Sequence, residues 1–164
     1  MCSSDLSMST DFPTPRLRHV FRIDASLGQP IDVGDTPAGH RRIVPLTGGS
    51  FSGPELKGTV LPGGSADWQI VREDGSSLGD IRITLQTDAG EVLCLQSRGV
   101  RHGPPDVLAR LARGEQVSPT EYTFRTSTQI ETAAPELQWL NNGVFIAAGG
   151  RQPAGVSYDV YIVE

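Results

Sequence analysis

The chain has 164 residues and a formal net charge of -5. Its nineteen glycines and twelve prolines, set against two methionines, favour strands and turns over long helices. The length fits one domain with a sizeable core, the acidic balance argues against a surface that tracks phosphates, and with no apolar run of about 18 residues no transmembrane helix is expected.

Residues 1–12 follow no strand period and carry little apolar surface, so they are expected to be a disordered tail. Met1 to Leu6 has neither a basic n-region nor an apolar stretch, hence no signal peptide, and Cys2-Ser3-Ser4-Asp5-Leu6 reads as in part an artefact of sequence assembly. Residues 13–164 are then expected to form a single β-barrel domain. Cys94 is the remaining cysteine, which suits a reducing cytoplasm, and its place in Glu91-Val92-Leu93-Cys94-Leu95 reads as a buried, inert thiol in a strand.

Leu17 to Ala25 alternates, with Leu17, His19, Phe21 and Ile23 on one face, and opens the fold as a half-buried strand. Gly28 to Gly39 reads as a turn-rich connection. Arg42 to Thr47 is a strand closed by Gly48-Gly49, and Leu56 to Leu61 and Trp68 to Glu73 follow as two more. Glu73-Asp74-Gly75 is a turn, because glycine supplies a positive φ. Asp80 to Thr87 and Glu91 to Ser97 form a hairpin across Asp88-Ala89-Gly90. Pro104 to Arg113 is the one helix, with Pro105 in its first turn, an apolar stripe of Val107, Leu108 and Leu111, and Gly114 as its stop; it reads as a lid or plug. Strands resume at Glu121 to Ser127, Leu137 to Leu140, Val144 to Ala148 and Val156 to Val163, with Asn141-Asn142-Gly143 as a hairpin turn.

About eight to ten short strands and one short helix make an all-β chain. A small closed antiparallel β-barrel is the economical solution, since closure removes sheet edges, and a β-sandwich is the alternative. An eight-stranded barrel is just wide enough to be filled by side chains or to hold one small ligand.

The three histidines, His19, His40 and His102, are isolated and no cysteine pair exists, so neither a metal site nor a cofactor is expected. Gly48-Gly49 and Gly63-Gly64 lack the Lys-Ser/Thr ending of a phosphate loop and read as barrel corners and tight turns. The basic groups His40-Arg41-Arg42 and Arg98 to His102 read as solvated loops.

Five polar residues carry possible chemistry. Asp67 follows a Gly-Gly turn and precedes Trp68; beside an indole its carboxyl is partly desolvated and suits general acid–base work, against the plainer reading of a turn cap. Arg82 poses a question of parity: Ile81, Ile83 and Leu85 share one face and Asp80, Arg82, Thr84 and Gln86 the other, so it is an anion clamp only if the polar set points inward. Arg125 and Glu131 pose the same question against Tyr122, Phe124 and Ile130. Trp68 and Trp139 could wall a pocket or fill the core, Asn141 could be a ligand contact or a turn residue, and Tyr161 could donate a hydrogen bond into a cavity or only pack.

In order along the chain stand Ile43-Val44-Pro45-Leu46-Thr47-Gly48-Gly49-Ser50-Phe51-Ser52-Gly53, Leu61-Pro62-Gly63-Gly64-Ser65-Ala66-Asp67-Trp68, Asp80-Ile81-Arg82-Ile83-Thr84-Leu85, Tyr122-Thr123-Phe124-Arg125-Thr126, Ile130-Glu131-Thr132 and Trp139-Leu140-Asn141. Together they resemble the domain-of-unknown-function family numbered 3237, also called uncharacterised protein family 0311, from about His19 to the C-terminus. The resemblance implies a barrel of bacterial type, with a looser likeness to allene oxide cyclase and the dirigent proteins. It implies no particular reaction. Ala89, Thr128, Ile130 and Leu137 depart from the family pattern and alter the surroundings of Glu131.

The expected function is that of a small-molecule-binding barrel, a cofactor-free isomerase, cyclase or lyase. In it Asp67 and Glu131 share acid–base work, Arg82 or Arg125 holds an oxyanion, and Trp68, Trp139, Asn141 and Tyr161 shape the pocket. The rivals are a non-catalytic carrier or sensor and a structural module without a ligand. The expected partner is a small molecule rather than nucleic acid or membrane, and a homo-oligomer is compatible with the sequence.

Overall fold

The structure, a computed structural model, describes residues 10–164. Nine strands form one antiparallel sheet: β1 (Leu17–Leu27), β2 (Ile31–Thr36), β3 (Gly39–Ser52), β4 (Lys57–Val71), β5 (Ser77–Thr87), β6 (Val92–His102), β7 (Thr123–Glu131), β8 (Phe145–Gln152) and β9 (Gly155–Val163). Their order is β1-β9-β8-β7-β6-β5-β4-β3-β2, and β1 also pairs with β3. That extra pairing closes eight strands into a barrel and leaves β2 as a flap on the outside of β3. The barrel expected from turn spacing and alternation is therefore the observed architecture.

Alternation decides what lies inside. Phe21, Ile23 and Ala25 of β1, Val44 and Leu46 of β3, Ile81, Ile83 and Leu85 of β5 and Leu93 and Leu95 of β6 are buried, and residues between them face outward. Cys94 obeys the same rule. It is exposed, not buried as expected, because Leu93 and Leu95 own the inner face of β6.

Four segments depart from the sequence reading. The connection after Gly28 contains β2, which runs antiparallel to β3 and pairs Ile31 with Ile43. The two strands expected around Pro62-Gly63-Gly64 are one strand, β4, whose register with β5 slips between Leu61 and Ala66. The register of β3 with β4 slips at the facing position, between Pro45 and Ser50, so the two Gly-Gly pairs mark bulges that curl the sheet rather than turns that end it. Gly49 shows why: its φ is +132°, and a Cβ there would run into the Asp24 carbonyl of β1. Finally, Pro135–Leu140 is a 3₁₀ segment kinked at Leu137, not a strand, with Leu137 and Leu140 driven into the core and Asn141 as its C-terminal cap residue.

Two short helices lie over the ends of the barrel. The 3₁₀ helix covers the end where β1 begins. The α-helix α1 (Pro105–Ala112) covers the opposite end, with Val107, Leu108 and Leu111 turned inward and Pro105 in its first turn. No helix among the described residues is long and apolar enough to cross a membrane.

Candidate functional site

Beneath α1 lies a cavity of about 600 Å³. The helix residues Leu108 and Leu111 and the strand residue Val44 give it apolar wall, and the β4–β5 turn at Glu73, Asp74 and Gly75 forms part of the rim. Its polar wall comes from the strand ends that meet there: Arg42 on β3, Gln69 on β4, Ser77 on β5, Arg101 on β6 and Arg151 on β8. Arg42 pairs in register with Gln69, and Ser77 with Arg101, so neighbouring strands bring these side chains to one level of the barrel.

The arginines are poorly satisfied by the protein. The Nε atoms of Arg42, Arg101 and Arg151 are all buried without a hydrogen-bond partner, as is Oε1 of Gln69. Arg101 Nη2 donates to Ser77 Oγ at 3.4 Å, a long contact. Burial, and then the neighbouring charges of Arg151 and Arg42, push the Arg101 guanidinium below its ordinary value.

Asp67 lies one inward position deeper on β4 than Gln69 and is 7% exposed. Its Oδ1 accepts the Asp80 backbone N–H at 3.1 Å and its Oδ2 accepts the Gln69 amide at 3.2 Å. Desolvation pushes its pKa up from 3.8 to about 6, while the Asp80 N–H, the Gln69 amide and the Arg101 charge pull the other way. It is the one Asp or Glu among the buried described residues. Gln69 links it to the cavity, since the same side chain lines the wall and donates to the carboxylate. Tyr158, on β9, is buried with its ring edge against Phe124 at 5.7 Å; desolvation and then the Asp67 charge push its hydroxyl above the ordinary range, so it stays protonated.

The other residues singled out in the sequence do not join Asp67. Arg82 is exposed on the outer face of β5, because Ile81 and Ile83 fill the barrel. Arg125 and Glu131 are exposed on β7, whose inner face is Phe124, Thr126, Thr128 and Ile130. The expected Asp67–Glu131 pair is therefore not formed. Trp68, next to Asp67 in sequence, points outward and is 39% exposed, so it is no cavity wall. Trp139 packs against the core from the 3₁₀ helix at the far end. Asn141 serves the backbone: its side chain accepts the Thr132 N–H and donates to the Thr132 carbonyl, both at 2.9 Å. Tyr161 lies outside, edge-on to His19 at 5.3 Å.

The residues missed are Arg42, Gln69, Arg101, Arg151 and Tyr158. Two of them sit in the basic groups read as solvated loops. Parity would have found them: Arg42 is in phase with Val44 and Leu46, and Arg101 with Leu93 and Leu95 across Ser97 and Gly99.

Comparison with known proteins agrees over nearly the whole chain. A UPF0311 protein of Rhodopseudomonas palustris, RPA1785, is 37% identical over 151 residues, covering 92% of this chain and 98% of that protein. Its crystal structure, described as that of a conserved protein of unknown function, superposes with a TM-score of 0.87 over 94% of this chain and all of that one, at 36% identity. A β-barrel-like protein of Acinetobacter baumannii gives a TM-score of 0.82 at 38% identity, over 94% of this chain and 99% of its own. A structure described as an enzyme from Penicillium herquei shares the fold alone, with a TM-score of 0.68 at 20% identity over 94% of this chain and 98% of that one. The profile of the family described as Protein of unknown function (DUF3237) matches residues 15–163, and with relatives this similar over this much of their length, the chain belongs to that family, also called UPF0311.

Proposed function

We propose that this protein is a small-molecule-binding barrel that acts as a cofactor-free isomerase, cyclase or lyase, with Asp67 exchanging a proton with the ligand. The observation that carries this reading is the buried Asp67 carboxyl held by two neutral donors, one of them the cavity residue Gln69. A carboxylate in that setting costs stability in its charged form, and a group poised near pH 6 both takes up and gives back a proton close to neutrality. Gln69 is the positioning residue: it donates to Oδ2 and lines the cavity beside the carboxylate, so a turn of its side chain opens Asp67 to the ligand. The fold shared with the Penicillium herquei enzyme is compatible with catalysis and says nothing of the reaction.

Proton transfer at carbon has a direct test. The protein is incubated in D2O with a panel of small carbon acids, and 1H NMR follows loss of the exchanging C–H signal. Accelerated exchange that disappears in Asp67→Asn, while ligand still raises the melting temperature of that variant, supports the assignment. Exchange that survives in Asp67→Asn overturns it. Ligand binding without any exchange favours the carrier, a reading for which the largely apolar cover of Leu108 and Leu111 is the supporting observation.

A further inference from the structure

We propose that the cavity under α1 is a seat for a small organic acid, its carboxylate held among Arg42, Arg101 and Arg151 and its apolar body lodged against the helix. The proposal rests on the reading of this cavity as a ligand site and adds the class of ligand.

Three guanidiniums approach the cavity from three separate strands, β3, β6 and β8. Their repulsion is not relieved by a contact ion pair, although the charge of Asp67 favours the Arg101 guanidinium through space. None of the three makes an ion pair with an Asp or Glu among the described residues, although eight Arg or Lys contacts of that kind are made elsewhere among them. The acids nearby are already engaged or open to water. Asp67 accepts from Gln69 and from the Asp80 N–H. Asp74 accepts from the Ser76 N–H and hydroxyl at 2.9 and 2.6 Å. Glu73 stands exposed at the rim.

Three buried Nε–H groups without acceptors are an expensive arrangement for a purely structural site. A guanidinium presents its donors in a planar fork that matches the two oxygens of a carboxylate, and a charge-assisted pair is stronger than a neutral one. The apolar part of the lining sets the rest of the ligand. Val44, Leu108 and Leu111 offer hydrocarbon, not further donors, so the complement is an acid with an apolar or aromatic body. A cavity of about 600 Å³ is of the size that holds such a molecule.

The experiment uses benzoate, its neutral counterpart benzamide, and inorganic phosphate, each titrated into the full-length protein by calorimetry and thermal shift. The expected result is that benzoate binds at least about tenfold more tightly than either comparison compound, since one charge-assisted pair is worth that much or more. Arg101→Met and Arg42→Met should each cut benzoate affinity at least about tenfold while the ligand-free protein melts at the same temperature or higher. Benzamide equal to benzoate, phosphate equal to benzoate, or wild-type benzoate affinity in Arg101→Met would each overturn the proposal. Should a variant fail to fold, the arginine Nε–Hε signals of the wild-type protein decide: benzoate must shift those of Arg42, Arg101 and Arg151, and unmoved signals reject the seat. The acid–base reading is scored separately by deuterium exchange and by the titration of Asp67, so either can fail while the other stands.

Discussion

The two ends of the barrel are built from the same alternating strands and filled in opposite ways. At the end where β1 begins, Phe21, Phe51, Leu85, Leu93, Leu140 and Phe145 are all less than 2% exposed, and Phe21 meets Phe51 edge-on at 5.5 Å. At the other end the inward positions are Arg42, Gln69, Ser77, Arg101 and Arg151, and side chains no longer fill the space beneath the covering helix. Between the two, Ser97 and Thr128 share a hydrogen bond of 2.7 Å inside the barrel. One end is close-packed and maximises burial. The other retains charge that packing would remove, which is what a site kept for a ligand requires.

The largest effect should come from damage at the packed end. Phe145→Ala removes a ring that is fully buried, and the expected loss is about 3–5 kcal/mol in denaturant unfolding. A loss below about 1 kcal/mol would mean that this end is as loosely filled as the other.

Asp67→Asn should act in the opposite direction. A carboxyl whose pKa rises from 3.8 unfolded to about 6 folded binds protons more tightly in the native state, so its contribution to stability is greatest below pH 4 and is lost as pH rises through 6. The neutral amide escapes that decline, and Gln69 can turn its unpartnered Oε1 toward the new NH2 group. The variant should therefore be more stable than the parent by about 1–3 kcal/mol at pH 8, with the gain vanishing near pH 4. A gain that is the same at both pH values would show that Asp67 is not the titrating group.

Arg101→Met comes next. It removes one of three mutually repelling charges at the open end and supplies a flexible apolar side chain. Stability at neutral pH should stay level or rise by about 1 kcal/mol. A loss comparable with that of Phe145→Ala would make Arg101 a structural residue and erase the contrast between the ends.

The smallest effect is expected outside the barrel. Arg82→Ala, on the exposed face of β5, should change stability by less than about 0.5 kcal/mol and leave ligand affinity unchanged. A fall in ligand affinity would place part of the binding surface on the outer wall.

Legibility followed the same division. The packed end was readable because Phe21, Leu85 and Leu93 obey a period of two within strands bounded by glycine turns, and a hydrophobic alternation has one stable solution. Asp67 was readable as a carboxyl worth weighing, but its indole neighbour misled: residues adjacent in a strand face opposite ways, so Trp68 is outside because Asp67 is inside. The Pro135–Leu140 segment misled in another way. Its short apolar run fits a strand or a helix equally, and Pro135 in the first turn, with Leu137 and Leu140 three apart, settled it as a 3₁₀ helix.

The sequence by itself determined the class of fold and the family, because these rest on local alternation, turn chemistry and the order of motifs; which face of the strands carrying Arg82 and Arg125 turns inward it left open. Tertiary structure alone decided which end of the barrel stays open and which charged residues meet there. Arg42, Arg101 and Arg151 are separated by 59 and 50 positions along the chain (101 minus 42, and 151 minus 101). Each sits near a strand end, in phase with the inner face of its own strand, but parity along one strand does not say which strand ends meet. Only closure through the β1–β3 pairing brings those strand ends around one cavity, and closure is a property of the whole sheet that no window of sequence contains.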